Sequence, residues 1–408
     1  MRETFDAVLL VDQFPQDHHS GAASYNAAVL RAIRALGWRV LILVAGRRFD
    51  RIAFRIPTDD PGVTVRFAHA LPLGGGRFVV PSVLPVARYA KRRLSSRRPS
   101  GNPIGKRVKI ERFPAKHEID TVRRMLGSVE AKVVFVDTIF RAPYVPEEVG
   151  GARTVLVGHD VFHERVASFE ANGFEVTPRV DARMEGDLVS RFDAILAISD
   201  ADAATYGRLS PRSAVATLYP AVPAGPLERR IDPRSGRVLY IGSSAHHNVD
   251  GLRWFLEKVW PNVLAAHAGA VLDVVGSIGS LFEGHPNVVC WGRVDDLGSL
   301  THRPAVAVNP VRMGSGIKIK MVDYFREGLG CVTTRVGAHG FPVEGAPFLL
   351  ADDEEEFAAQ LVACLNAPDV CMELSQRTEA YLRHFSPEAA AQAVLRCADG
   401  SLAGAGVS

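Results

Sequence analysis

Cysteine is scarce in this chain of 408 residues, and the five present (Cys290, Cys331, Cys364, Cys371 and Cys397) all fall in its C-terminal part. None has the spacing of a metal-ligand set, which argues against a zinc or iron–sulfur module. Cys364 and Cys371 stand seven apart across a turn and read as reduced core thiols. Long apolar runs are missing too. The first, Ala7–Val11, stops at Asp12 and reads as a strand rather than a secretory leader. No later run approaches the ~20 residues of a membrane-spanning helix. A net charge of only +3 gives no global signal for nucleic acid. No repeat shorter than a domain is visible. The expected location is the cytoplasm.

What is there has the balance of a soluble globular protein, 47% hydrophobic and 23% charged, and is too long for one ordinary core. Apolar runs of strand length alternate with helical patterns, the rhythm of α/β architecture with parallel sheets. Strands are predicted at Ala7–Val11, Val40–Val44, Val63–Phe67, Val133–Val136, Thr154–Val157 and Ala194–Ile198. A helix from about Ala23 to Leu36 ends at Gly37, and another covers 181–191. Pro220 to Gly236 is rich in Pro, Gly and Arg without periodicity, as a linker is. The rhythm then restarts with strands at Val238–Ile241, Val271–Val275, near Val288, at Ala305–Val308 and Cys331–Thr334, and with closing helices at about 354–366, 371–383 and 387–398. The expected organisation is an N-terminal domain over 1–219, a linker over 220–236, a second domain over 237–385, and a helix and tail over 386–408 that can pack back on the first domain. Both domains read as Rossmann-like, with parallel sheets facing a central cleft.

One segment breaks the charge balance. From Arg88 to Lys116 eleven Lys and Arg stand against a single acid, Glu111. A solvated loop, an anionic acceptor and an anionic membrane surface all fit, the last implying a peripheral place at its inner face. Aromatics are too few there for single-stranded nucleic acid, and none is expected as a partner.

The most informative segment is Val311–Asp323, which follows the strand Ala305–Val308. Gly314 and Gly316 flank Ser315 where a helix is expected to start, so backbone N–H groups can approach an anion closely. Asp323, seven residues past Gly316, falls on the same helical face and can accept two sugar hydroxyls. Lys318, nearer the helix start, is better placed for phosphate than Lys320, which can pair with Asp323 at i, i+3. His159 and Asp160 follow the strand Thr154–Val157, at the end where open α/β sheets bind ligands. Arg165 stands two residues from His163 and cannot face it. In the second domain Gly242 and Ser243 end the first strand, Asn248 is placed to cap the next helix, and His246 and His247 point apart, which disfavours a metal site.

The run Gly314–Lys320 resembles the donor motif of family 4 retaining glycosyltransferases, proteins of the GT-B fold; in one bacterial branch it reads GSGIKIKxxE. Three further strings resemble the same branch: HDVFHERVASFEANGF from His159, GSSAHHNVDGLRWF from Gly242, beside the branch's GSxxHxxNxDGxxWF, and GRVDDL from Gly292. The resemblance covers about 150–200 and 237–345, and the first forty residues in outline, but not 70–130. It implies a nucleotide-diphosphate sugar as donor substrate, a hydroxyl acceptor (glycan, lipid-linked or small-molecule), no metal and no cofactor. It places His159, Ser315 and Lys318 at the chemistry and Asp323 on the ribose. Gly242, Ser243, Asn248, Gly314, Gly316, Ile317 and Lys320 then line the phosphates. The Arg293–Val294 turn meets the base, and Gly21 lies in the loop above the donor. Departures are Asp323 where the family has glutamate, Ala22 where it has a second glycine, and Gly330–Thr334 in place of glycine-x-proline-valine-valine. A nucleotide-sugar isomerase or hydrolase, or a non-catalytic nucleotide-sugar-binding partner, are the alternatives.

Overall fold

A computed structural model describes residues 2–16, 21–46, 49, 52–56, 60–81, 105–147, 149–222, 231–294, 297, 300 and 303–400. The first part of the chain runs through β1 (Glu3–Val11), α1 (Gly21–Ala35), β2 (Val40–Val44), β3 (Ala53–Arg55), β4 (Val63–Phe67), β5 (Leu71–Gly74), β6 (Arg77–Val79) and β7 (Arg107–Lys109). It continues with α2 (Lys116–Gly127), β8 (Val129–Asp137), β9 (Arg153–Gly158), α3 (Phe162–Ala171), β10 (Glu175–Thr177), α4 (Ala182–Val189), β11 (Ala194–Ala197), α5 (Asp200–Leu209) and β12 (Ala214–Thr217). The second part has β13 (Arg237–Ile241), α6 (His246–Trp254), α7 (Trp260–Ala266), β14 (Val271–Val275), β15 (Val288–Gly292), β16 (Val306–Asn309) and α8 (Ile319–Arg326). It ends with β17 (Cys331–Thr333), β18 (Phe348–Leu350), α9 (Glu354–Asn366), α10 (Pro368–Tyr381) and α11 (Pro387–Asp399).

Most of the strands form two parallel sheets, in the orders β12-β11-β9-β8-β1-β2-β4 and β15-β14-β13-β16-β17-β18. Their apolar runs follow from burial on both faces. Along β1, Ala7, Leu9 and Val11 enter one core while Val8 and Leu10 enter the other, the two-residue alternation of a strand. Each sheet reverses its winding once, between β1 and β8 in the first and between β13 and β16 in the second. Such reversals leave a crevice at the carboxyl ends of the strands.

The last helix, α11, packs on α1, β11 and β12 of the first sheet. Ser386 caps it by accepting from the Ala389 N–H at 3.1 Å, and Pro387 opens it, where a missing N–H costs nothing. Ala390, Ala393, Val394 and Cys397 are buried in that contact, and the Arg153 Nε donates to the Cys397 carbonyl at 2.7 Å.

The short strands β3, β5, β6, β7, β10, β12 and β18 escape a periodicity reading because three or four residues show no pattern. Residues 82–104 of the basic stretch and 223–230 of the expected linker lie outside the described residues. Within the described part of the basic stretch, Arg107 pairs with Glu175 and Arg112 with Glu118, both at 2.7–2.8 Å. No helix among the described residues is long and apolar enough to cross a membrane.

Candidate functional site

The crevices of the two sheets hold most of the residues singled out above. After β13, Gly242 donates its N–H to the Val275 carbonyl at 2.9 Å, leaving the exposed Ser243 at the rim. Asn248 lies in the first turn of α6 and does not cap it; the N-cap is Ala245. The Asn248 side chain works in two directions instead. Its Nδ2 donates to the carbonyl and Oγ of Ser243, both at 3.2 Å, and its Oδ1 accepts from Lys320 Nζ at 2.8 Å. The Lys320 ammonium also stands over the Tyr240 ring, 4.6 Å from its centre.

The loop after β16 is pinned before it reaches the cleft. Arg312 forks onto Asp250 at 2.9–3.1 Å, and Gly251 leaves room for the Pro310 carbonyl, which would stand 2.3 Å from any Cβ there. The helix expected at Ser315–Gly316 begins only at Ile319. Gly314 (φ +117°) and Gly316 (φ +66°) hold the preceding loop in conformations that other residues rarely adopt. Gly316 and Asp323 are therefore not related by helical periodicity, and N–H groups offered to an anion come from a loop. Asp323 lies half-buried on α8.

This loop docks on the first domain. The Gly314 N–H donates to Ser168 Oγ at 2.9 Å, and Ser315 Oγ donates to Asp160 Oδ1 at 3.1 Å. A Cβ at Gly316 would stand 2.4 Å from Asp160 Oδ1 and 2.8 Å from the His159 carbonyl. Lys318 is buried, with Nζ donating to the carbonyls of Ser315 (3.1 Å) and Gly316 (2.8 Å). Ile317 is buried beside it. Gly21 starts α1, and a Cβ there would lie 3.8 Å from Ile319 Cδ1, so the start of α1 borders α8. Arg293 is exposed and Val294 half-buried on the turn after β15, while Asp295 and Asp296 lie outside the described residues.

The electrostatics gather cations at the seam. Arg165 of α3 pairs with Asp160 at the mouth of the first sheet. Burial pushes Lys318 down to about 8 and Lys320 down to about 7, the latter also repelled by Lys318. His247 is driven well below the ordinary histidine range by burial and then by the charges of Arg165, Lys320 and Lys318. Lys318 and Lys320 thus share one locality, because Lys318 precedes α8 and is free of helical spacing. Arg165 is the cation that sequence spacing hid, since its relevance depends on the other domain.

In the first sheet's crevice His159 is buried, its Nε2 2.8 Å from Asp137 Oδ1 and 3.1 Å from Asn26 Oδ1, with Tyr25 edge-on at 5.0 Å. Burial opposes charge on Asp137, but His159, Arg141 and the Asp12 N–H hold its carboxyl down at about 2. Arg141, also buried, bridges Asp12 (3.0 Å) and Glu111 (2.8 Å). Asp137 had a sequence signal, an acid at the carboxyl end of an apolar strand; Asn26 and Arg141 had none.

Residues 235–367 match the family Glycosyl transferases group 1. An uncharacterized 44.6 kDa protein in the cps region of Klebsiella pneumoniae is 26% identical over 192 residues, 43% of this chain and 48% of that protein, so the match spans about half the relative's length. Among solved structures, TarM of S. aureus is similar with a TM-score of 0.65 over 97% of this chain and 99% of its own, at 8% identity. HepE of Anabaena in complex with UDP-glucose gives 0.61 over 96% and 99%, at 12% identity. At such identities the likeness is one of fold. The chain has the GT-B fold, and its residues 235–367 match the family Glycosyl transferases group 1.

Proposed function

We propose that the protein is a glycosyltransferase that moves a sugar from a nucleoside diphosphate sugar to a hydroxyl acceptor, with retention at the anomeric carbon. The observation that carries this is the meeting of Arg165, Lys318, Lys320 and His247, drawn from both domains, around the loops at Gly242 and Gly314–Gly316. Such a seam suits a diphosphate, whose charge grows as the glycosidic bond breaks. TarM has been solved with UDP and alpha-GlcNAc-glycerol and HepE with UDP-glucose, which supports a UDP-sugar as the first donor to try.

In this reading the diphosphate lies between Ser243 and the 314–318 loop, and the three cations neutralise it with no metal in the scheme. Asp323 takes the ribose hydroxyls, the Arg293–Val294 main chain meets the base, and Ser315 and His159 border the sugar. The bond from the anomeric carbon to the phosphate oxygen breaks as the acceptor oxygen bonds on the same face, and the departing phosphate oxygen takes the acceptor proton. Asp137 and Asn26 fix the imidazole of His159.

Calorimetric titration with UDP, ADP and GDP tests the donor site. One of them should bind, and Asp323→Ala should weaken it by about 1–3 kcal/mol, the range for a charged hydrogen bond. His159→Ala should leave nucleotide affinity nearly unchanged while turnover collapses. Failure of every nucleoside diphosphate to bind would sink the reading.

A further inference from the structure

A second surface lies outside this seam. β3, β6 and β5 form a small antiparallel sheet in that order. Strand alternation turns Phe54 and Phe78 inward, where they pack with Phe49 and Phe67 at ring separations of 4.7–5.6 Å. The opposite face carries Arg55, Arg77, Val79 and, across from Val79, Leu71. Leu71 is 56% exposed and Leu73, two residues on, 63% exposed. Solvated leucines beside arginines need an explanation, because nothing among the described residues covers them.

The sequence from β4 through β7 is one-sided in charge. From Pro61 to Ile110 the sequence holds eleven Lys and Arg and no Asp or Glu. Glu3 neutralises Arg66 and Glu175 neutralises Arg107, but Arg55 and Arg77 make no ion pair among the described residues. β5 follows directly from the carboxyl end of β4, whose neighbour β2 runs toward Asp12 through Gly46. The small sheet therefore sits at the same edge as the crevice of the first domain.

We infer that the outer face of β3–β6–β5 is a membrane-docking surface for an anionic bilayer. Leu71 and Leu73 enter the acyl boundary while Arg55 and Arg77 stay at the lipid phosphates, the arrangement of an interfacial amphipathic element. An apolar face that also carries Arg55 and Arg77 complements anionic lipid. Docked this way, the crevice edge faces the bilayer, which makes the acceptor a lipid-linked one. That last step rests on the glycosyltransferase reading; the contact with lipid does not.

Sedimentation of the full chain with vesicles decides it, comparing phosphatidylcholine alone with phosphatidylcholine containing phosphatidylglycerol, at low and high salt. The wild type should bind only the anionic vesicles, less at high salt. Leu71→Ser with Leu73→Ser should cut binding at least about tenfold, and Arg55→Glu or Arg77→Glu about fivefold or more each. Both leucines are exposed, so thermal melting and nucleotide affinity should stay unchanged, which separates this idea from the donor-site reading. Wild-type chain left in the supernatant with anionic vesicles overturns the proposal. So does undiminished binding by the double leucine variant, or loss of a dimer in light scattering as its only effect.

Discussion

At the scale of single residues, the seam turns on two lysines with lowered proton affinity. Lys320 sits at about 7 and Lys318 at about 8 because burial disfavours their charged forms. A bound diphosphate favours those charged forms and so raises both values. Binding should then take up protons. Affinity should be greatest below pH 7 and fall as the pH rises through 7 and 8, by up to about tenfold per pH unit for each lysine involved. Calorimetry in two buffers of different ionisation enthalpy, from pH 6 to 9, measures the uptake, and Lys320→Met should reduce it. Affinity flat across that range, without proton uptake, would remove the lysines from the phosphate site. Both lysines and Ser315 were legible in the sequence as parts of one motif. Arg165 was not, because His247, whose proton affinity its charge lowers, comes near it only when the two parts of the chain are together.

At the scale of elements, the decisive feature is the loop between β16 and α8 rather than the helix itself. Glycine at 316 does two jobs there, adopting φ +66° and letting the loop approach Asp160 and the His159 carbonyl. Gly316→Ala should cost about 1–2 kcal/mol for the backbone alone and more for the clash. The loop would be pushed off the first domain while α8 persists. We expect nucleotide affinity to fall at least tenfold with unchanged helical circular dichroism, a split that calorimetry and spectroscopy together reveal. Equal affinity in the variant would mean that loop docking does not shape the site. Sequence reading began the helix too early because two glycines before an amphipathic run look like a helix start. The left-handed conformations they adopt show only in the backbone.

At the scale of the whole molecule, α11 closes the first domain although it follows the whole second sheet in chain order. It covers α1, β11 and β12 with Ala390, Ala393 and Val394, all buried. Val394→Asp would bury an unpaired carboxylate in that contact, at a cost of about 3 kcal/mol or more. Scanning calorimetry should show the loss as a lowered transition in the first domain. A melting curve matching the wild type would mean that α11 does not hold the first domain together.

The sequence by itself determined the α/β class, the parallel sheets, nearly every long strand and the glycine motif, because these rest on local periodicity and on side chains buried on two faces. Val40–Val44, Val63–Phe67, Val271–Val275 and the helix over 354–366 have the bounds their residues announced. Only the tertiary structure decided where α8 starts, that Asn248 links Ser243 to Lys320, that Asp137 and Asn26 hold His159, and that Arg165 joins the seam. Those contacts join residues far apart in the chain, and local spacing carries no information about which distant partner a polar side chain meets once the sheets pack.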